Sequence, residues 1–373
     1  MAKSAPDTRS ARPPAGGRAD RVSVRDGTRD GGGHPFLRYL ARRLVISCFL
    51  VIGVTLVTFA LTNLVPGDPV AASLGQRAAE DPAIVAQFRK TYGLDKPLVM
   101  QYFTYLKNLL HGNLGTSTTT HNAVTHDLSL ALPATIEIAV SAIVLSMIIG
   151  LVLGTVAAYR RGKATDHTLR VISLAGLSLP TFWLALVLYY VFYFKLHIAP
   201  GSGRLDASFN PPPKVTGLYT IDSLLAGQYR TFPNVLAHMF LPVLVLTLYT
   251  VGLLTRFVRT SVLEILEQDY VNAARAKGLP TRTVVWGYVL RGASIPILTV
   301  VGLAFGSLLS GTVLVESIFS WPGIGSYAYQ SASHLDLPGV MGVGLLIGVI
   351  YLLVNLVVDL LYGLLDPRVR LAG

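Results

Sequence analysis

Few residues in this chain combine the types and spacing that chemistry needs. Three acids, Glu137, Glu316 and Asp359, fall within or at the edges of long apolar runs. A charge at mid-bilayer costs roughly 2.5–3.5 kcal/mol or more, so each is a functional candidate by default. All three stand toward the ends of their runs, which favours interfacial or inter-helix structural roles. An ion-coupled carrier would place acids near the midplane, where they are scarce. Gly162-Lys163-Ala164 lacks the upstream glycine and the hydroxyl of a GxxxxGK[ST] phosphate loop, so ATP is not bound by that route. The eight histidines are scattered, and His121 and His126 have no third partner at metal-ligand spacing. No GxSxG elbow argues for a hydrolase. The single cysteine, Cys48, excludes an intrachain disulfide. Val45-Ile46-Ser47-Cys48 opens its apolar run, where a lipoprotein cleavage box would close it.

One stretch has an order of its own: Asp269-Tyr270-Val271-Asn272-Ala273-Ala274-Arg275-Ala276-Lys277-Gly278-Leu279-Pro280. Asp269 suits an N-cap, Arg275 and Lys277 suit a last turn, and Gly278 with Pro280 stops the run. The order predicts a short capped helix in the polar gap between two apolar segments.

The elements around it are membrane spans. The chain is 52% hydrophobic and 14% charged, with mean hydropathy +0.54; soluble domains carry about 25% charged residues. Residues 1–35 are rich in Arg, Asp, Gly and Pro and read as a disordered basic cytoplasmic tail; interspersed acids argue against a nucleic-acid-binding arm. The first transmembrane helix lies within 36–65, where 22 residues, Leu44 to Val65, carry no charge. At ~1.5 Å per residue that crosses a ~30 Å hydrocarbon core. Arg42-Arg43 precedes it, but the run is too long for a signal peptide and no cleavage site follows. Further spans are predicted at 133–158, 171–194, 235–255, 293–316 and 340–364, making an all-α integral membrane protein with six transmembrane helices. Pro180 and Pro296 fall inside spans, as a bundle tolerates.

Lys and Arg then orient the bundle. With the N-terminus inside, segments 1–43, 159–170, 256–292 and 365–373 carry 22 of the 31 basic residues, and the outside segments carry nine. Both termini and the 269–280 stretch are therefore expected in the cytoplasm. The long outer loop 66–132 repeats Ile84, Val85, Phe88 and Tyr92, then Leu98, Tyr102, Tyr105 or Leu106, and Leu109, at helical spacing. A structural cap and a docking surface fit that loop equally well. Residues 199–214 read as an irregular outer loop. Glycines four apart (Gly150 and Gly154, Gly302 and Gly306, Gly344 and Gly348) suit a compact bundle or a subunit interface.

Residues 36 to 370 resemble the permease subunits of bacterial binding-protein-dependent ABC importers, specifically the oligopeptide/dipeptide/nickel group. The resemblance is carried by Asp269-Tyr270 and Ala273-Ala274-Arg275-Ala276-Lys277-Gly278, where Asn272 replaces the family's Glu. Phe319-Ser320-Trp321-Pro322-Gly323-Ile324-Gly325 and Leu365-Asp366-Pro367-Arg368-Val369-Arg370 carry it further, as do Val65-Pro66-Gly67-Asp68-Pro69 and Tyr92-Gly93-Leu94-Asp95-Lys96-Pro97. Leu114-Gly115-Thr116-Ser117 and Leu132-Pro133-Ala134-Thr135 complete it. It implies an ABC importer type I permease fold, with a core permease domain over 133–370 and a coupling loop over 256–292. It implies a second related permease chain, two cytoplasmic ATPase subunits and an extracytoplasmic solute-binding protein as partners. It implies no cofactor on this chain, ATP and magnesium being bound by the ATPases. The cargo would be a peptide, with nickel or another small solute as the alternative.

In this reading Asp269, Tyr270, Ala273, Ala274, Arg275, Ala276, Lys277 and Gly278 couple the chain to an ATPase. The alanines let the backbone seat closely, and Arg275 and Lys277 offer ion pairs at the rim. Gly278 supplies a positive-φ turn into a second helix, about Arg282 to Arg291. Ser307, Ser310 and Thr312 are pore-lining candidates that helix packing would explain equally well.

Overall fold

In the computed structural model residues 35–64, 81–92 and 96–365 are described. The basic tail, the Val65–Pro69 run, Gly93–Asp95 and Asp366–Arg370 lie outside them. The elements are α1 (Pro35–Leu64), α2 (Pro82–Tyr92), α3 (Leu98–Leu110), α4 (Val124–Tyr159), α5 (Ala164–Ser178) and α6 (Thr181–Leu188), which continues through a π-helical stretch, Tyr189–Lys195. Then come α7 (Tyr219–Leu225), α8 (Thr231–Leu266), α9 (Asp269–Ala276), α10 (Leu290–Ile318), α11 (Ile324–Ser333) and α12 (Leu337–Leu365). Residues Thr281–Thr283 and a π-helical Val284–Val289 lead into α10 without a break. Among the described residues no strand forms; one isolated bridge joins Thr116 to Ala123.

Helix is the only open-ended way to satisfy every backbone amide inside hydrocarbon. Among the described residues four helices are long and apolar enough to cross a membrane, with a fifth if the bent pair Ala164–Ser178 and Thr181–Lys195 counts as one span. The sixth expected span falls on the 30-residue α1, whose apolar stretch, Val45–Ala60, is shorter than the others.

The third span departs from expectation. Pro180 was expected inside a single helix; instead α5 and α6 meet at 98°. Leu179 (φ −87°, ψ 128°) and Pro180 (φ −59°, ψ 134°) both leave helical geometry. Proline removes an amide and pushes its predecessor toward extended backbone. Pro242 meets the same pressure yet stays within α8, where it is buried and Leu241, only 1% exposed, packs in the main core. Leu179 and Pro180 are exposed, so nothing opposes the break.

α8 is the central helix and lies along α4. The approach is set by the α4 glycines: a Cβ on Gly150 would stand 2.8 Å from Leu254 Cβ, and one on Gly154 2.8 Å from the Thr255 carbonyl oxygen. The other two glycine pairs also face this chain's own helices. Gly302 and Gly306 meet Val358 and Tyr351 of α12, and Gly348 meets Val54 of α1. Gly154→Leu is therefore expected to destabilise the bundle by about 1–3 kcal/mol, the usual cost of overpacking. A lower melting temperature in detergent checks this, and an unchanged one would contradict the crossing.

The main core gathers Ile138, Leu241, Val245, Leu254, Leu308 and Trp321. A second core near the end of α4 joins Ala158, Val258 and Val262 to Val271, Ala274 and Val289. Near the C-terminal end of α1, α3 is fastened to it. Tyr102 shares a 2.9 Å hydroxyl contact with Thr55, and Phe59 lies 5.5 and 6.0 Å from the Tyr102 and Tyr105 rings. The helices expected from periodicity form at α2 and α3, and part of α3 caps the first span.

Candidate functional site

The 269–280 stretch forms α9 followed by a tight turn, and its capping differs from expectation at the start. Gln268 occupies the N-cap (φ −75°, ψ 144°) with no side-chain hydrogen bond, so Asp269 is the first helical residue. There its charge still complements the helix dipole. The C-terminus follows the expected pattern. The Leu279 amide donates to the Ala274 carbonyl at 3.4 Å and the Gly278 amide to Arg275 at 2.9 Å. Gly278 sits at φ +73°, completing a Schellman motif. Leu279 packs on the same core as Ala274, which is the hydrophobic contact that accompanies this cap.

The faces of α9 are divided. Val271 (0% exposed) and Ala274 (3%) turn into the chain's own core. Asp269, Tyr270, Asn272, Ala273, Arg275, Ala276, Lys277 and Gly278 are exposed. Ala274 faces this chain's own core, where its small side chain lets α9 lie close on α8 and the π-helical turn Val284–Val289. The second helix expected at 282–291 is not separate. It continues through the π-helical turn into α10, with Pro280 at its N-cap and Pro296 tolerated further on. The Tyr270 hydroxyl lies over Gly292, at the base of that same helix. α9 is thus held rigidly between the end of α8 and the start of α10.

At the opposite end of α4 the signatures that had no role in the sequence come together. Glu316, fully buried, accepts from Thr135 Oγ1 at 2.7 Å and from the Ser326 amide at 2.9 Å. Thr135 Oγ1 accepts from the Ile324 amide, and Trp321 Nε1 donates to the Ala134 carbonyl, both at 2.8 Å. The Phe319–Gly325 and Leu132–Thr135 segments are therefore one structure. Ser117, of the Leu114–Ser117 segment, donates to Asp336, which also takes the Thr118 amide at 3.1 Å. Glu137 pairs with Arg204 at 2.6 Å, with side chains 2% and 7% exposed, and accepts the Thr220 amide and hydroxyl at 2.7 Å. Arg204 also stacks 3.6 Å over the Tyr219 ring. Asp359 pairs with Arg43 of α1. All three acids singled out in the sequence are tied to neighbouring elements. Arg204 escaped notice because it lies 67 residues from Glu137, in an irregular loop.

Asp222, 1% exposed, closes the same irregular loop. Burial pushes its carboxyl up, but hydrogen bonds from the Thr216 amide and hydroxyl and the Gly217 and Val215 amides outweigh this and hold it below the usual aspartate range. A lowered folded value stabilises the fold above the unfolded pKa, and the gain is lost as pH falls through the folded one. Asp222→Asn should cost about 1–2 kcal/mol at neutral pH, as loss of hydrogen bonds to a charged group does. The gap between the two proteins' melting curves should begin to close as pH falls below about 4, where the unfolded carboxyl takes its proton, and vanish only once the folded carboxyl is protonated too. A gap that stays constant down to acid pH would contradict this. A cavity of about 490 Å³ opens beside Asp222, lined also by Asp127, Arg204, Lys214, Tyr219 and Gln330.

The pore-lining candidates separate. Thr312 is fully buried and its hydroxyl bonds the Leu309 carbonyl at 3.3 Å, so it faces this chain's interior. Ser307 is exposed, its hydroxyl back-bonded to Leu303 at 3.0 Å. The Ser310 side chain lies outside the described residues. Among the described residues no group of three or more His, Cys, Asp or Glu is placed to hold a metal ion.

Comparison with known proteins defines the class. Residues 150–371 match the family described as binding-protein-dependent transport system inner membrane component, and residues 36–139 match the N-terminal part of such membrane components. The chain belongs to this family, and is a multi-pass transport subunit of the inner membrane. Among its relatives is the di/tripeptide transport system permease protein DppB of Pseudomonas aeruginosa. It is 45% identical over 334 residues, covering 90% of this chain and 99% of that one. The probable D,D-dipeptide transport system permease protein DdpB of Escherichia coli is 44% identical over 324 residues, covering 87% and 95%. A solved structure of the MetNI methionine ABC transporter covers 62% of this chain and 93% of its own at 16% identity, with a TM-score of 0.45.

Proposed function

We propose that this chain is a pore-forming permease subunit of an ATP-driven importer that carries di- or oligopeptides inward. The peptide cargo is supported by the names and high identity of the peptide-transport permeases it resembles. Both termini lie in the cytoplasm, in keeping with the bias of basic residues. The pore is completed by a second, related permease chain. Two cytoplasmic ATPase subunits bind ATP and magnesium, and an extracytoplasmic binding protein delivers the solute.

The observation that carries the coupling role is the division of α9: Val271 and Ala274 inward, with Asp269, Tyr270, Ala273, Arg275, Ala276, Lys277 and Gly278 outward. A short rigid helix, capped and packed on one face, is suited to lie in a groove of another protein. When that groove closes, α9 passes the motion as a rigid body to α8 and α10, between which it is fixed.

A cysteine test separates the two faces. In a Cys48→Ser background, Ala273→Cys is expected to crosslink to a cysteine placed in the ATPase groove, and Ala274→Cys is not. Crosslinking at neither position, or preferentially at the buried one, would contradict the docking role.

A further inference from the structure

The turns of α8 that hold the coupling helix also hold something else. Val258 and Val262 pack against Val271 and Ala274 of α9. Arg259, on the adjoining flank, reaches α5. Its Nε and Nη2 donate to the two carboxylate oxygens of Asp166 at 2.7 and 2.9 Å. The Asp166 side chain is 1% exposed and that of Arg259 18%. The Gly162 amide donates to the same carboxylate at 3.1 Å, and Arg170 lies 3.4 Å from it. A planar fork on a buried carboxylate fixes direction as well as distance. The exposed Arg161–Glu267 pair nearby is 63% and 71% exposed and adds little, as surface pairs do.

A second contact makes the attachment rigid. A Cβ on Gly252 of α8 would stand 2.6 Å from the Ser173 carbonyl oxygen of α5, so the two backbones nearly touch there. Gly252 precedes Arg259 by two helical turns, and Ser173 follows Asp166 by two. One contact would leave a pivot; two contacts in antiparallel register hold α5 along α8. At its far end α5 meets the 98° break at Leu179–Pro180, the one joint in this span that leaves helical geometry.

We propose that Asp166 is a positioning residue of the transport cycle. Through Arg259 and α8 it hands the displacement of α9 to α5, so that the half-span up to the break at Leu179–Pro180 moves with the coupling helix. This rests on the coupling role proposed for α9. Neither Asp166 nor Arg259 needs to touch cargo or ATPase.

The test is the ratio of solute moved to ATP hydrolysed, normalised to assembled complex. The full importer would be reconstituted in lipid vesicles with its ATPases, sister permease and binding protein, using radiolabelled dialanine as the probe. Asp166→Asn and Arg259→Lys are the variants; lysine keeps the charge but cannot make two parallel bonds. Both are expected to lower the ratio at least fivefold while ATP hydrolysis stays within twofold of the wild type. An unchanged ratio, or a loss that only tracks the amount of complex recovered, overturns the proposal. Failure of both variants to assemble also overturns it, since the pair would then be a folding element. Gly278→Val is run alongside. If it transports normally, the coupling role of α9 is itself wrong. If it fails while the Asp166 and Arg259 variants keep a normal ratio, only the present proposal falls.

Discussion

Gly278→Val is expected to lower ATP-driven uptake at least tenfold while the chain still inserts, and Gly278→Asn to retain most of it. Gly278 sits at φ +73°, and a Cβ there would meet nothing within 4 Å. Space is therefore not the obstacle; the backbone is. A left-handed conformation costs an ordinary L-residue roughly 1–2 kcal/mol, least for asparagine and most for β-branched valine. A difference of about 1.4 kcal/mol is already tenfold in the population that keeps the turn. Relaxing φ swings Leu279 and Pro280 away, loses the 3.4 Å bond from Leu279 to Ala274, and frees α9 from the start of α10. Initial uptake rates in vesicles, with membrane insertion measured in parallel, test the series Gly, Asn, Ala, Val. Equal rates for all four would mean that the turn does not matter to transport.

The second large effect is on stability. Glu137→Gln leaves Arg204 with 7% of its side chain exposed and no ionised partner. Breaking one side of a buried pair costs roughly 3–5 kcal/mol, because the remaining charge stays desolvated. Replacing both residues together with apolar ones of similar size should cost clearly less, since the pair's attraction largely offsets its own desolvation. The expected result is a steep fall in melting temperature for Glu137→Gln and partial recovery in Glu137→Leu with Arg204→Met. The recovery has a limit: Thr220 and the Gly217 carbonyl lose their partners in the double variant. A single variant as stable as the wild type would mean that the pair is not buried in the folded protein.

Much of this architecture was legible in the residues. Apolar runs located the spans because hydrocarbon leaves the backbone no alternative to helix. Gly278 was readable as the end of α9 because only a left-handed residue completes that cap. What escaped detection was tertiary. Nothing local distinguishes Pro180, which breaks its span, from Pro242, which does not; the difference lies in what packs around each. Ala274 and Ala273 are identical neighbours in sequence, yet one faces the core and the other solvent, because only the position of α8 decides the inward face of α9. The partners Glu137 and Arg204, Asp166 and Arg259, and Ser117 and Asp336 lie 67 to 219 residues apart. Only Arg170, four residues after Asp166, gave a local hint of the Asp166 cluster. The Phe319–Gly325 segment was recognisable as a signature but had no stated task until its turn was seen closed around Glu316 and Thr135.

The central claim is that this chain moves solute only when another protein supplies ATP energy through α9. The most direct measurement is uptake of a labelled dipeptide into vesicles under two conditions. In one, the complete importer receives ATP on the ATPase side with no ion gradient. In the other, this chain alone is given an imposed proton or sodium gradient. The expected result is uptake in the first condition, abolished when ATP is withheld, and none in the second. Uptake by this chain alone, driven by the gradient and indifferent to ATP, would contradict the account.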